Sequence, residues 1–182
     1  MLRIGVGQRV YFLGVGSNIE PYVNSVAILE GLLGIAGEIY ISRIVETAAV
    51  DIESDNRFLN FCVVVVTDWE EAVLRRYCQQ IEVDLGRDRR DPTRKWRDRP
   101  ADIDVLCGLG EVDGRLELGE MAEPFFVCEP MWELAERLDM ICEGDGSLWG
   151  KRGSVLVTEG IGLAPMKLVQ MRGGGWEAFD LD

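Results

Sequence analysis

The chain has 182 residues, a formal net charge of −13 at pH 7, 47% hydrophobic residues and 28% charged residues. This composition is ordinary for a globular protein, and the acidic balance disfavours general nucleic-acid binding. The sequence contains no histidine, which excludes Ser-His and Cys-His nucleophilic pairs, histidine-ligated zinc and a histidine general base. Chemistry in this protein must therefore use carboxylates, arginines, metal ions and positioning.

The length predicts a single domain over residues 1–182, with a core at about 9–144 and a C-terminal extension at 145–182. The longest unbroken apolar run, residues 61–66, is far too short to span a membrane. The five cysteines form no C-x-x-C pair and are typical of core residues in a reduced cytosolic protein. We therefore expect a cytoplasmic protein without a membrane or nucleic-acid partner.

Hydrophobic periodicity predicts the strands and helices in chain order. Strands are predicted at 9–16, 38–45, 58–67, 101–106 and 115–118, with a turn at 108–114, and again at 155–158 and 167–171. Helices are predicted from 21 to the glycines at 34 and 37, from 68 to 86, and over 130–138, with Ser17 or Asn18 capping the first helix. The order strand, helix, strand, strand, helix, strand predicts an α+β fold, a ferredoxin-like βαββαβ sandwich with both helices on one face of an antiparallel sheet.

Two of the predicted strands contain unexpected residues. Gly14-x-Gly16 resembles the start of a dinucleotide-binding fingerprint, but Ile19 occupies the third glycine position, so the sequence gives little support to a dinucleotide cofactor. Asn60 lies within the otherwise apolar strand predicted at 58–67. An unpaired amide in a protein core costs about 1–3 kcal/mol, so Asn60 must find partners in the backbone or in a ligand.

A basic segment, residues 87–99, follows the second predicted helix and is called the basic loop below. It contains seven arginine and lysine residues against three aspartates, so its net charge is +4 in a chain of net charge −13. A positive island on so acidic a background indicates a polyanionic ligand such as a nucleotide triphosphate. On charge patterning alone, a solvated loop is an equal alternative.

Two carboxylates come directly after the basic loop. Apolar and acidic residues alternate over 101–106, so Asp102 and Asp104 project from one face of a strand, roughly 6.6 Å apart along it. Carboxylates this close repel each other unless a cation lies between them, and Mg²⁺ binds one or two carboxylates together with substrate phosphate oxygens. Arginines beside such a pair indicate phosphoryl-type transfer. The alternative is a half-buried strand with a polar face.

Four landmarks resemble the 6-hydroxymethyl-7,8-dihydropterin pyrophosphokinase family of folate biosynthesis. They are, in order, Gly16-Ser17-Asn18, Phe58-Leu59-Asn60, Ile81-Glu82-x-x-Leu85-Gly86-Arg87-x-Arg89 and Trp96-x-x-Arg99-x-x-Asp102-Ile103-Asp104. The last two together are specific, and the resemblance covers residues 9 to about 135. It implies a ferredoxin-like core. It also implies transfer of a pyrophosphoryl group from ATP to the hydroxymethyl oxygen of the pterin, with release of AMP.

The resemblance further implies roles for individual residues. Asp102 and Asp104 hold two Mg²⁺ ions, and Arg87 and Arg99 are catalytic contacts to the triphosphate. The implied pterin-binding residues are Thr47, Val50, Phe58, Asn60 and Phe126, with the two phenylalanine rings on either side of the pterin. The implied nucleotide-binding residues are Gln79, Glu82, Arg89 and Trp96. The implied partners are the small molecules ATP and hydroxymethyl dihydropterin, bound by a monomer.

The sequence departs from the family pattern at several positions. Arg97-Asp98 replaces the Gly-Pro that usually precedes the strand arginine, and Ala48-Ala49 replaces two prolines. The Pro-His segment and the arginine that help to hold ATP are missing, with Glu120 and Glu123 where positive charge is expected. These differences leave weaker ATP binding, another nucleotide or a lost activity as alternatives.

Two further functions and several structural roles compete with these interpretations. The chain could be a divergent relative that binds a pterin or nucleotide without turnover, or an RNA- or anion-binding ferredoxin-like module that uses the basic loop. The RNA interpretation lacks the paired aromatic strand motif on which such modules stack bases. Phe58 and Phe126 could be core aromatics. Trp96 could simply fix the position of a loop, and Glu82 could be a surface partner of a loop arginine.

Overall fold

A computed structural model describes residues 2, 4–50, 52–112, 115–118, 125–140 and 161–181. The strands within these residues are β1 (Arg9–Ser17), β2 (Glu38–Ile41), β3 (Val45–Thr47), β4 (Phe58–Thr67), β5 (Asp102–Val112), β6 (Arg115–Leu118), β7 (Met166–Gln170) and β8 (Trp176–Asp180). The helices are α1 (Pro21–Ala36), α2 (Glu71–Asp84) and α3 (Phe125–Arg137), and a single 3₁₀ turn covers Arg94–Trp96. None of the helices in the described ranges is long and apolar enough to cross a membrane.

The strands form one antiparallel sheet with the order β6-β5-β1-β4-β2-β7-β8, and β3 adds to β4 beside β2. β1 pairs with β4 along its whole length, from Arg9 opposite Thr67 to Ser17 opposite Leu59. On its other side β1 pairs with β5. The arrangement β5-β1-β4-β2 with α1 and α2 as crossovers is a ferredoxin-like βαββαβ unit, which confirms the predicted α+β fold class.

The sheet separates two hydrophobic clusters. One face packs against α1 and α2, whose side chains meet Leu13, Val63 and Val105 among others. The other face packs against α3, which meets Phe12 and Val64. Since side chains alternate along a strand, Gly14 and Gly16 continue the α3 face toward the end of β1. The two predicted helices thus share one face, and the third helix lies on the opposite face.

Several predicted boundaries are wrong for identifiable reasons. The single strand predicted at 38–45 is two strands, because buried Ser42 interrupts the ladder: its hydroxyl accepts the Cys62 N–H and donates to the Arg43 carbonyl, each at 2.8 Å. The turn predicted at 108–114 is wrong because β5 continues to Val112 and pairs with β6. The 58–67 and 115–118 predictions are confirmed, β8 was not predicted, and the strand predicted at 155–158 lies outside the described residues.

The predicted cap of α1 is also wrong. Glu20 occupies the N-cap position without a side-chain capping bond, and Pro21 begins the helix. Ser17 and Asn18 are both buried and have other partners: Asn18 binds the end of the basic loop, and Ser17 binds Pro100, the residue that follows it. Their side chains therefore fix a distant segment rather than their own helix.

Candidate active site

A cavity of about 190 Å³ opens on the α3 face of the sheet, beside the C-terminal end of β1 and the N-terminal ends of β4 and β5. It is lined by residues of the three strands and of the segments next to them, namely Gly14, Val15, Gly16, Thr47, Ala48, Val50, Phe58, Asn60, Arg99, Asp102, Asp104 and Leu106. Seven predicted site residues lie in this set: Thr47, Val50, Phe58, Asn60, Arg99, Asp102 and Asp104. The fold thus brings the predicted metal residues and most of the predicted pterin residues to one cavity.

Glycine at two alternate positions of β1 makes the floor of the cavity. A Cβ atom on Gly16 would lie 3.0 Å from the Asn60 Oδ1 atom and 3.6 Å from the Phe58 ring. A Cβ atom on Gly14 would lie 3.2 Å from the Leu106 side chain. A side chain at either position would occupy the cavity or displace its walls, so glycine at these positions leaves the cavity open down to the strand backbone.

One end of the cavity combines a buried amide with an aromatic ring. Asn60 is buried on β4, and its Nδ2 atom donates a hydrogen bond to the Thr47 hydroxyl at 2.9 Å. The partner that a buried amide requires is therefore a neighbouring side chain on β3. Phe58, two residues before Asn60 on the same face of β4, presents a half-buried ring to the same cavity. An amide beside an aromatic face can read the polar edge of a heterocycle while the ring stacks on it.

The other end of the cavity carries the two carboxylates of β5. Asp102 accepts hydrogen bonds from Arg87 on one oxygen and from Arg99 Nη1 on the other at 2.6 Å. Among the described residues, no arginine or lysine forms an ion pair with Asp104. Although Asp104 is open to the cavity, loss of hydration beside the strand and the charge of Asp102 raise its pKa. A cation bound beside Asp104 would therefore offset a charge that no arginine or lysine of the described residues neutralises.

Glu82 on α2 is the hydrogen-bond acceptor for two arginines of the basic loop. Its side chain is 2% exposed and accepts hydrogen bonds from Arg87 Nη1 at 2.8 Å, from Arg89 and from the Ile103 N–H at 2.8 Å. Arg87 also donates to the Ala101 carbonyl at 3.0 Å. One buried carboxylate thereby ties α2, the basic loop and β5 together, and the surface position considered for Glu82 is wrong. Its contact with a nucleotide stays a prediction.

The end of the basic loop is fastened to the end of β1. The Ser17 hydroxyl donates to the Pro100 carbonyl at 2.6 Å, and the Asn18 Oδ1 atom accepts the Arg99 N–H at 2.7 Å. The Arg99 guanidinium then lies 5.8 Å from the centroid of the Phe58 ring, within cation–π range. Arg99 consequently stands between the two ends of the cavity, where it can contact phosphate oxygens on one side.

The remaining predicted site residues lie outside the cavity lining. Gln79 is exposed on α2, Arg89 is half-buried against Glu82, and Trp96 is 64% exposed on the 3₁₀ turn. Phe126 belongs to α3, but its side chain lies outside the described residues, so the ring sandwich with Phe58 stays a prediction.

Sequence reasoning missed the floor of the cavity and the buried carboxylate beneath it. The fingerprint and the Gly16-Ser17-Asn18 landmark give Gly14 and Gly16 no structural role, although two glycines at a spacing of two in a strand already indicate an open patch on one face. Glu82 lies next to Ile81 in the buried stripe of α2. An acidic residue in that stripe is the sequence signal that indicates a buried carboxylate.

The donor set can be tested against a metal ion. No group of three or more acidic, cysteine or histidine side chains in the described ranges could enclose a metal ion. Two carboxylates on one side of an open cavity instead fit Mg²⁺, which retains positions for water and substrate phosphate oxygens. The residues present therefore fit a metal that arrives with a phosphate ligand.

Comparison with known proteins gives the family. The sequence profile of the 7,8-dihydro-6-hydroxymethylpterin-pyrophosphokinase (HPPK) family matches residues 12–136. The chain belongs to the HPPK family. It is similar to the 2-amino-4-hydroxy-6-hydroxymethyldihydropteridine pyrophosphokinase of Bacillus subtilis (strain 168), with 30% identity over 139 residues that cover 72% of this chain and 81% of the relative. It is also similar to the protein of that name from Porphyromonas gingivalis (strain ATCC 33277), with 32% identity over 128 residues, 69% of this chain and 84% of the relative.

Membership of the HPPK family confirms the resemblance inferred from the four landmarks. It also confirms the predicted enzyme class, a pyrophosphokinase of folate biosynthesis that uses ATP as co-substrate. The catalytic interpretation is thereby favoured over a non-catalytic relative or an RNA-binding module. The residues that line the cavity, from Gly14 to Leu106, all lie within the matched region.

Proposed function

We propose that this HPPK protein transfers the pyrophosphoryl group of ATP to the hydroxymethyl oxygen of 6-hydroxymethyl-7,8-dihydropterin within the cavity, using two Mg²⁺ ions. The observation that carries this proposal is the pairing of two kinds of chemistry in one cavity. The two carboxylates lie at one end, Asn60 and Phe58 lie at the other, and Arg99 stands between them. A substrate with a planar polar ring and a short arm to a phosphorylated partner fits such a site.

Asp102 and Asp104 would hold the metal ions. Bound Mg²⁺ would supply positive charge to the phosphates and would make the attacking hydroxyl more acidic, so that a histidine base would not be required. The chain contributes the two carboxylates at fixed spacing on β5, whose backbone is anchored by pairing with β1 and by the bond from the Ile103 N–H to Glu82. This anchoring limits the reorganisation needed when a ligand arrives.

Arg99 and Arg87 would stabilise charge on the phosphates. Both guanidinium groups are mostly buried and are already aimed at Asp102, beside the position where metal-bound phosphate oxygens would lie. Attack of the hydroxymethyl oxygen on the β-phosphorus forms one P–O bond and breaks the bond to the oxygen that leaves with AMP. The hydroxyl proton passes to solvent. Arginines held in place before the reaction stabilise the charge that develops on the leaving oxygen.

The pterin end would recognise the ring by its polar edge and its face. Asn60 is held by Thr47, Phe58 offers a ring for stacking, and Val50 and Ala48 complete the apolar wall. We further propose that Gln79, Glu82, Arg89 and Trp96 serve the nucleotide side, Glu82 through the arginines that it holds. Phe126 is proposed as the second aromatic contact to the ring.

The remaining features of the proposal concern the whole chain. Residues 1–182 would act as a single domain and as a monomer in the cytoplasm, with small molecules as partners rather than nucleic acid or membrane. The segment 145–182 would be an extension of the core. In support, β7 within it pairs with β2 and so joins the same sheet.

The direct experiment is an assay of AMP release from ATP in the presence of hydroxymethyl dihydropterin and Mg²⁺. We expect AMP formation that requires all three components and stops when the metal is chelated. Pterin binding by calorimetry without AMP formation would leave a binding protein in place of an enzyme. The absence of both would overturn the proposal.

A further inference from the structure

The walls of the cavity come from two segments that are far apart in the sequence. One is the β3–β4 loop (residues 48–57, of which residue 51 is not described), which supplies Ala48 and Val50. The other is the basic loop, which supplies Arg99. Neither segment has a regular backbone ladder at these positions. Side-chain contacts must therefore set the distance between the two walls.

Asp98 makes the contact between these segments. Its Oδ2 atom accepts a hydrogen bond from Asn56 Nδ2 at 2.6 Å, and the Ser54 side chain is a further hydrogen-bond partner. Its Oδ1 atom accepts a hydrogen bond from Asn18 Nδ2 at 2.6 Å. One carboxylate thus joins the basic loop to the β3–β4 loop and to the end of β1.

The contacts of Asn18 require that Asp98 be a hydrogen-bond acceptor. The Asn18 amide cannot turn over, because its Oδ1 atom accepts the Arg99 N–H at 2.7 Å. Its Nδ2 atom therefore points at Asp98 and needs an acceptor. Partial burial alone would raise the pKa of Asp98, but hydrogen bonds from Ser54, Asn18 and Asn56 outweigh it and hold that pKa below its usual range. Hydrogen bonds to an ionised acceptor are shorter and stronger than hydrogen bonds to a neutral one.

We propose that Asp98 is a positioning residue, a clip whose carboxylate holds the β3–β4 loop against the basic loop and so sets the pterin end of the cavity. The proposal rests on the proposed function for its substrate. Its mechanical part concerns only this chain's own residues. Asp98 touches no reacting atom, and it acts through Asn56 on the wall that carries Ala48 and Val50.

The chain provides a matched control in Asp91. This aspartate lies in the same loop, and its carboxylate accepts hydrogen bonds from the Thr93 N–H and hydroxyl, each at 2.7 Å, and pairs with Arg97 at 3.2 Å. All of these partners belong to the basic loop. Asp91→Ala therefore removes an equivalent set of bonds without touching the β3–β4 loop.

The first arm measures motion without any substrate. Backbone NMR order parameters of residues 52–57 should fall from the rigid value of about 0.85 to below about 0.6 in Asp98→Ala and in Asn56→Ala. Asp91→Ala should leave them unchanged. Asp98→Asn should retain part of the order, because its oxygen can still accept from Asn18 while the Asn56 amide turns to meet it.

The second arm measures function. Asp98→Ala should raise the KM or Kd for the pterin by about tenfold, the scale of one lost hydrogen bond to a charged group, with kcat at saturation nearly unchanged. Adding Asn56→Ala to Asp98→Ala should change the pterin affinity no further, because both remove the same contact.

The two arms separate the possible failures. Unchanged order parameters in Asp98→Ala, or an equal loss of order in Asp91→Ala, would overturn the clip. Order that is lost as expected, with pterin affinity unaffected, would overturn its role in positioning the pterin. A wild-type protein that binds no pterin would instead contradict the proposed function, and the order parameters would still decide on the clip.

Discussion

The floor and the loop of the cavity are built in different ways. The floor consists of β1, β4 and β5, whose backbone pairing fixes Gly16 opposite both Asn60 and Asp102. The basic loop contains only a single 3₁₀ turn and is held by side chains. Its anchors include the contact between Asn18 and Asp98, which are 80 positions apart. Because backbone pairing fixes the floor, the floor should keep its structure when a single side chain is removed. The basic loop should lose structure when one of its side-chain anchors is removed.

The floor and the basic loop also supply different groups to the cavity. The floor presents Asp102, Asp104 and Asn60 at fixed register, and the basic loop supplies the arginines that we propose for phosphate binding. Substitutions in the floor should therefore change chemistry or binding while the fold remains. Substitutions beneath the loop should change stability and turnover together.

The largest effect is expected at the two carboxylates that we propose as metal ligands. Asp102→Ala or Asp104→Ala should lower kcat/KM by about a thousandfold or more, because a metal ion supplies several kcal/mol of charge stabilisation. The fold should survive, since neither change opens a core cavity and Arg87 keeps its bond to Glu82. Steady-state kinetics and thermal unfolding check both points, with Asp91→Ala as the control. Unfolding of both variants, or full activity in either, would show that the pair is structural.

The next effect concerns the carboxylate beneath the loop. Glu82→Ala should lower the free energy of unfolding by about 3–5 kcal/mol, because it leaves buried arginine and backbone donors without their acceptor. The comparison is Glu71→Ala, which removes an exposed pair with Arg75 on the same helix and should cost less than about 1 kcal/mol. Chemical denaturation measures both values. Equal losses would mean that burial of Glu82 has no energetic consequence.

Arg99 should separate turnover from affinity. Arg99→Ala should lower kcat by about 10²–10³-fold, the scale of one lost preorganised donor, with little change in the KM for ATP. Arg97→Ala provides the control, because Arg97 is largely exposed and pairs within the loop with Asp91. A similar loss of kcat in both variants would show that the loop acts only through its total charge.

Asn60 should affect one ligand and spare the other. Asn60→Ala should weaken pterin binding by about 1–3 kcal/mol, the cost of leaving a polar partner unpaired, while ATP binding hardly changes. Gly16→Ala should act in the same direction, because its Cβ atom would lie 3.0 Å from Asn60 Oδ1. Calorimetry with each ligand measures the two affinities. Equal losses for both ligands would identify Asn60 as a scaffold residue.

The smallest effect is a dependence of stability on pH. Partial loss of hydration and the charge of Asp102 raise the pKa of Asp104, so ionised Asp104 destabilises the metal-free fold at neutral pH. Asp104→Asn should therefore be more stable than wild type at pH 7 without Mg²⁺. The gain should vanish as the pH falls through the raised pKa and then below the unfolded-state value of about 3.9, where both side chains are neutral. Thermal unfolding at several pH values tests this, and a less stable variant at pH 7 would contradict it.

Much of the floor was predictable from the sequence. The β-branched run at 58–67 gives β4 with its observed bounds, and the alternation over 101–106 correctly places Asp102 and Asp104 on one face. Both predictions rest on the two-residue period of a strand, which is a local property. The break at Ser42 was missed because a single buried hydroxyl, not hydrophobicity, interrupts the strand.

The loop could not be predicted in the same way. Its charge indicated an anion, but not that Glu82 would hold Arg87 and Arg89 or that Asn18 would bind the loop instead of capping α1. The Asn18 contact joins residues 81 positions apart, which the pairing of β1 with β5 brings together. The arginines that Glu82 binds lie close to it in sequence, but hydrogen bonding by a buried carboxylate is not reflected in hydrophobic periodicity. Local periodicity therefore carries no information on these contacts.

The most direct test follows the phosphorus atoms of ATP by ³¹P NMR during one reaction with hydroxymethyl dihydropterin and Mg²⁺. The proposed reaction predicts AMP and a pterin pyrophosphate ester in equal amounts, with two coupled phosphorus resonances in the ester and no ADP. Formation of ADP with a pterin monophosphate, or of AMP with free pyrophosphate and unchanged pterin, would contradict pyrophosphoryl transfer in this cavity.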